Sequence, residues 1–181
     1  MRIAPTRLEG VMRILPRVYG DDRGYFFEAW RQKELREAGI DAEFVQMNQS
    51  GSQRGVLRGL HYQIQQPQGK LVRVLRGEIF DVAVDLRRSS PTFGQWDGWV
   101  LNDVTREGVW IPPGFAHGFL TLSERAEFEY LCTDTYAPQW ERAIRWDDPD
   151  LAIVWPQLEG ALTLSQKDQD ATAWRDAELF P

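Results

Sequence analysis

Apolar and polar residues alternate over most of this chain with a period of two, the pattern of half-buried β-strands. The clearest run is EIFDVAVDL, in which Phe80, Val82, Val84 and Leu86 alternate with Ile79, Asp81, Ala83 and Asp85. KLVRVL precedes it, with Lys70 on the face of Val72 and Val74, and the turn signal Arg76-Gly77 between the two runs predicts a hairpin. In EFEYLCTDTY, Phe128, Tyr130 and Cys132 oppose Glu127 and Glu129, so Tyr130 is expected to point inward. In FVQMNQSGSQRG, Gln46, Asn48 and Ser50 oppose Val45 and Met47. In RGLHYQ, Gly59, His61 and Gln63 fall on one face, and Arg58, Leu60 and Tyr62 on the other. ILPRVYG, FGQWDGWVL and VWIPPGFAHGFLTL supply further strands, and DDRGYFFEAW reads as a turn and an aromatic-packed loop. Helix formers gather only in AWRQKELREA, residues 29–38, stopped by Gly39, and in LSQKDQDATAWRDAELF, expected to end in a short helix. Short strands at intervals of about 8–12 residues with frequent turns predict an all-β jelly-roll sandwich with a few short peripheral helices.

Composition narrows the function. The chain has 181 residues, and neither a repeat nor a linker divides it, so residues 1–181 are read as one domain. Its 21 basic and 27 acidic residues give a net charge of −6, which argues against a nucleic-acid partner but allows a local basic pocket for a phosphorylated small molecule. Eight Trp, nine Phe and five Tyr suit a sandwich core or a pocket that stacks rings. The single Cys132 excludes an internal disulfide and a zinc site built of cysteines. No apolar run reaches membrane-spanning length and no signal-peptide core opens the chain, so no membrane partner and a cytoplasmic location are expected.

Several polar residues sit where apolar ones belong. A lysine on the apolar face of a strand is unusual, because burying an ammonium without a partner is unfavourable. His61 and Lys70, delivered inward by neighbouring strands, suit proton transfer beside a developing negative charge. By spacing alone His61 is equally readable as a satisfied core histidine, Tyr130 as a core tyrosine with one hydrogen bond, and Arg23 and Glu28 as solvated loop residues. Gln46, Asn48 and Ser50 are either a solvated face or the wall of a polar cavity.

The segments RGVLRGLHYQ, QGKLV and IPPGFAHGF, with DDRGYFFE near the start and LSQKD near the end, resemble the dTDP-4-dehydrorhamnose 3,5-epimerase family of the cupin superfamily. The motifs stand in the family's order and cover nearly the whole chain. The resemblance implies a cupin jelly roll and an isomerase of dTDP-L-rhamnose and cell-surface polysaccharide biosynthesis. Its substrate would be a dTDP-linked 4-keto-6-deoxy sugar. The ketone acidifies the hydrogens at C3 and C5, so removing either gives an enolate, and reprotonation from the other face inverts the carbon.

By the same resemblance His61 is the base, held by Asp168; an imidazole, with an ordinary pKa of about 6.5, suits that work near neutral pH. Lys70 stabilises the O4 enolate and Tyr130 is the acid. Gln46, Met47, Asn48, Arg58, Lys70, His117, Glu141 and Lys167 are implied to bind substrate, and Tyr136 to stack on the thymine. Arg23 and Glu28 are nucleotide-binding positions, within a homodimer that exchanges N-terminal strands. Many cupins bind a metal through an HxH pair, but here the segment is His61-Tyr62-Gln63, and only His117 remains. That donor set is poor for a transition metal, so no metal and no cofactor are expected. Two other readings stay open: an epimerase of the same family acting at one carbon, and a non-catalytic sugar-nucleotide-binding cupin.

Overall fold

The computed structural model describes Met1–Pro181. Its strands in chain order are β1 (Arg2–Pro5), β2 (Met12–Leu15), β3 (Val18–Asp21), β4 (Gly24–Phe27), β5 (Gln46–Gln53), β6 (Leu57–Gln63), β7 (Lys70–Arg76), β8 (Glu78–Asp85), β9 (Trp96–Asn102), β10 (Gly108–Ile111), β11 (Phe115–Thr121), β12 (Arg125–Cys132) and β13 (Glu141–Ala143). Two short helices accompany them, α1 (Gln32–Glu37) and α2 (Gln166–Gln169). A six-stranded sheet runs β1-β2-β10-β7-β12-β5, and a five-stranded sheet runs β13-β6-β11-β8-β9. All their strand pairs are antiparallel, as expected for a cupin jelly-roll sandwich. No helix is long and apolar enough to cross a membrane.

Alternation sorts the apolar side chains into three clusters. Val72, Val74 and Phe128 from the six-stranded sheet meet Ile79, Ala83 and Phe119 from the other, and this cluster lies between the sheets. Leu60, Tyr62, Val82 and Val84 point to the other face of the five-stranded sheet, which the C-terminal segment covers with Ile144, Leu151 and Trp155. Leu35 of α1 packs with Ile14, Leu71 and Trp110 on the outer face of the six-stranded sheet. Each fully buried side chain of this size contributes about 1.5–3 kcal/mol of transfer free energy.

Four local expectations are corrected. β7 and β8 do not form a hairpin: β7 pairs with β10 and β12, and β8 with β9 and β11, so Gly77 carries the chain from one sheet to the other. The crossing is tight, for a Cβ on Gly77 would come within 2.2 Å of the Arg125 carbonyl oxygen. DDRGYFFEAW is a hairpin, β3–β4, rather than an aromatic-packed loop. Its rings are not packed inside; Phe26 is 71% exposed. The C-terminal segment opens with α2 and carries one further turn of 3-10 helix at Trp174–Asp176, but its last residues are extended, with Phe180 bridged to Arg87.

The fourth correction concerns Arg58. The register of β6 against β11 steps from His61↔His117 to Arg58↔Phe119, which inserts one extra residue into β6. Gly59 stands at the step with φ +125°, so close to β11 that a Cβ would lie 2.4 Å from the Cα of Gly118. Alternation therefore fails there, and Arg58 lines the same cavity as His61 while Leu60 and Tyr62 stay on the apolar face.

Candidate active site

A cavity of about 320 Å³ opens at one end of the sandwich, lined by Gln46, Asn48, His61, Lys70, Tyr130, Tyr136 and Glu141 among others. A second recess adjoins it, sharing His61, Lys70 and Tyr130 and adding Ser50, Arg58, His117 and Lys167. The combined size suits a small organic ligand. Its walls come from different sheets. β6 and β11 bring His61 and His117, paired directly across the ladder, from the five-stranded sheet. β7 and β12 bring Lys70 and Tyr130 from the six-stranded sheet, with β5 presenting Gln46, Asn48 and Ser50 beside them.

His61 Nε2 lies 2.5 Å from Asp168 Oδ1. Asp168 is 3% exposed and sits in α2, whose N-cap Ser165 donates from Oγ to Asp168 Oδ2 at 2.6 Å. Burial raises the Asp168 pKa, but hydrogen bonds from His61, Ser165 and the Gly59 N–H outweigh it and hold the carboxyl at about 2. An ionised carboxylate only accepts, so Nε2 carries the proton and Nδ1 is the free nitrogen. Because the folded pKa is depressed, this pair's contribution to stability is fully present above the ordinary value of 3.8 and is lost as pH falls toward 2.

We predict that Asp168→Asn lowers kcat by roughly 10²–10⁴-fold, because the fixed tautomer and the charge that stabilises an imidazolium are both lost. Steady-state rates at several pH values check this, and an unimpaired kcat would show that the pair is structural only.

Lys70 Nζ lies 5.8 Å from the centre of the Tyr130 ring. Burial pulls the Lys70 pKa below the ordinary lysine value, with Cys132, Asp81 and Glu141 acting in the other direction through space. The same burial, with Cys132 nearby, pushes the Tyr130 phenol above its ordinary value, opposed by Asn48 and Arg58. Arg58 Nε donates to Ser52 Oγ at 3.2 Å. At the outer rim Lys167 pairs with Glu141 Oε1, and the Tyr136 hydroxyl donates to Glu141 Oε2 at 2.7 Å. Burial raises the Glu141 pKa, but the Lys167 and Tyr136 hydrogen bonds prevail and leave it below the usual carboxylate range.

The structure thus gathers His61, Asp168, Lys70, Tyr130, Gln46, Asn48, Arg58, His117, Tyr136, Glu141 and Lys167 around one opening. Three expected residues stand apart. Met47 is 61% exposed on the other face of β5, in an apolar groove with Ile14, Trp30 and Leu71. Its side chain faces away from the cavity because it falls between two inward positions of a regular strand. Arg23 lies at the β3–β4 turn, bound to Asp21, and Glu28 is bound to Arg31.

Asp81 was not singled out from the sequence. It accepts from His117 Nε2 at 2.7 Å, fully buried, so the second histidine also has a carboxylate partner. Its signal was present, since alternation puts Asp81 on the core face with Ile79 and Ala83. Ser165 was missed as well; its cue is a serine three residues before an aspartate at a helix start. No group of three His, Cys, Asp or Glu side chains is arranged to hold a metal ion.

Residues 5–176 match the family model described as dTDP-4-dehydrorhamnose 3,5-epimerase. The chain is 56% identical over the full length of both proteins to the dTDP-4-dehydrorhamnose 3,5-epimerase of Pseudomonas aeruginosa. It is 49% identical to that of Methanothermobacter thermautotrophicus, over 99% of this chain and 97% of the relative. A crystal structure of dTDP-6-deoxy-D-glucose-3,5-epimerase from Legionella pneumophila, in complex with dTDP-4-keto-L-rhamnose, superposes with a TM-score of 0.94. It is 52% identical, covering 98% of this chain and 94% of the Legionella chain.

Proposed function

Since the chain belongs to the dTDP-4-dehydrorhamnose 3,5-epimerase family, it is a carbohydrate epimerase of dTDP-rhamnose biosynthesis, and we propose that His61 and Tyr130 do its chemistry from opposite walls of the cavity. The substrate is dTDP-4-keto-6-deoxy-D-glucose and the product dTDP-4-keto-L-rhamnose. His61 Nδ1 takes the proton from C3 or C5, and Asp168 stabilises the imidazolium that results. The electron pair moves onto O4, where the Lys70 ammonium meets the developing charge. Tyr130 delivers a proton to the opposite face of the carbon; a phenol is a weak acid, but a carbanionic carbon is far more basic. Solvent then reprotonates Tyr130 and removes the proton from His61. Arg58 and His117 hold the sugar or pyrophosphate oxygens, and Tyr136 stacks on the thymine beside Glu141 and Lys167. Nothing in this sequence of proton transfers calls for a metal or a redox cofactor.

The observation that carries the reading is the placement of the base on β6 and the acid on β12, strands of two different sheets facing one cavity. Inversion needs removal on one face of a carbon and delivery on the other. Incubation of the protein with its keto-sugar substrate in D2O containing EDTA tests it. Two deuterons, at C3 and C5, are expected in the product. One deuteron would identify a single-carbon epimerase, none a binding protein, and loss of turnover restored by one divalent ion would overturn the metal-free mechanism.

The proposal extends to a homodimer in which the N-terminal strands serve the neighbouring subunit. The exposed rings of Tyr19, Tyr25 and Phe26 on the β3–β4 hairpin support it, as does the apolar groove of Ile14, Trp30, Met47, Leu71 and Leu131. In that assembly Arg23 and Glu28 reach the partner's nucleotide. Sedimentation of the protein solely as a monomer would remove this part of the reading.

A further inference from the structure

Gln63 occupies the position where a metal-binding cupin carries the second histidine of its ligand pair. It is 5% exposed and both ends of its amide are engaged. Oε1 accepts from the Ala137 N–H at 2.8 Å, and Nε2 donates to the carbonyls of Gln66 at 2.7 Å and Thr135 at 3.3 Å. Thr135 and Ala137 are the two neighbours of Tyr136. The Tyr136 N–H itself donates to Gln46 Oε1 at 2.9 Å. Two glutamine side chains, one from each sheet, therefore hold three consecutive residues that belong to no helix or strand. The Tyr136 ring is exposed, and the one hydrogen bond of its hydroxyl is to Glu141.

A ring that stacks on a base binds it more tightly when its plane is set in advance, because ordering it on binding would consume part of the affinity. We infer that Gln63 is a positioning residue for the nucleotide end of the site. It fixes the 135–137 backbone so that Tyr136 presents its face to the base, and it acts on affinity for the nucleotide rather than on the proton transfers at His61. This inference rests on the stacking role proposed for Tyr136. It gives Gln63 a use in place of the ligand role: both amide atoms are committed to backbone partners across more than 70 residues of sequence.

The test compares Gln63→Leu, Tyr136→Ala and the double variant, reading Kd for dTDP and for inorganic pyrophosphate by calorimetry, and KM and kcat for the keto-sugar nucleotide. Gln63→Leu keeps the approximate volume and removes the hydrogen bonds. Its Kd for dTDP and its KM should rise by about 10- to 100-fold, because without two or three neutral hydrogen bonds the loop holds the stacking conformation for only a fraction of the time. Its kcat at saturation and its pyrophosphate affinity should stay within about threefold of the parent. The double variant should bind dTDP no more weakly than Tyr136→Ala alone, because Gln63 acts through Tyr136.

Should Gln63→Leu fail to fold, Gln63→Met, which keeps the length of the glutamine without its hydrogen bonds, carries the same test with the same expected loss. Unchanged dTDP affinity, an equal loss for pyrophosphate, a fall in kcat at constant KM, or additive losses in the double variant would each overturn the inference. If Tyr136→Ala binds dTDP as the parent does, the stacking reading fails and this inference falls with it. If Tyr136→Ala weakens dTDP while the Gln63 variants do not, the positioning role alone is wrong.

Discussion

Incubated in D2O, His61→Asn should return the keto-sugar nucleotide with no deuterium at C3 or C5 and with both centres unchanged. Asparagine cannot accept a proton, so neither enolate forms. Loss of a general base alone accounts for roughly 10²–10⁴ in rate. Both positions should fail together, because one base serves both carbons: the other histidine, His117, is held by Asp81 through Nε2 and is assigned to the substrate oxygens. Proton NMR of the recovered substrate reads C3 and C5 separately. Exchange persisting at either carbon near the parent rate would mean that His61 is not the base there. Because Asp168 keeps its bonds to Ser165 and Gly59 without the imidazole, the variant is expected to fold.

Lys70→Ala should lower kcat by roughly 10²–10³-fold, the usual cost of removing one donor from an oxyanion site, with a much smaller change in KM. The reason is the environment of the ammonium. It is walled in beside the Tyr130 ring, and its nearest opposite charges act through space rather than as a hydrogen-bonded partner. A cation left in that condition interacts far more strongly with a charge that appears at O4 during the reaction than with the neutral ketone that precedes it.

The sign of the pKa shift adds a second readout. Burial lowers the Lys70 pKa from its ordinary value and raises that of Tyr130. The alkaline limb of the parent's kcat profile should lie below the ordinary lysine value of 10.5, and Lys70→Ala should keep only the limb set by Tyr130, above the ordinary tyrosine value of 10.0. A large rise in KM with kcat intact would make Lys70 a substrate anchor instead.

Much of this was legible in the chain because a β-strand writes its orientation into every second residue. The inward positions of Lys70 and Tyr130 follow from that period and hold in the structure, whereas for Gln46 and Asn48 the period left a solvated face and a cavity wall equally open, and the structure shows the wall. The period says nothing about partners. KLVRVL and EIFDVAVDL look alike whether the chain doubles back beside itself or crosses to a second sheet, and at Gly77 it crosses. Nor does the period survive an inserted residue: the step at Gly59 turns Arg58 toward His61 against simple alternation.

Asp168 lies 107 residues beyond His61, and no local pattern links them; the motif LSQKD carried that assignment through its resemblance to the family. Met47 came in by the same route, as the middle of Gln46–Asn48, and there the strand geometry puts its side chain outside the cavity. Asp81 is the opposite case, a carboxylate on an apolar strand face that spacing displayed and that gains its meaning only when β11 brings His117 beside it.

The claim on which the mechanism stands is that base and acid reach the sugar from opposite sides, and Tyr130→Phe isolates it. The ring and its packing against Phe128 remain, and only the phenolic proton donor is lost. Deuterium incorporation and configuration are followed together by NMR as the variant turns over substrate in D2O. The expected result is exchange without inversion: solvent deuterium enters through His61, which returns a proton to the face it came from, while epimerised product forms slowly, above all at C5. If Tyr130→Phe inverts C3 and C5 at the parent rate, the acid is another group and the two-wall mechanism is wrong.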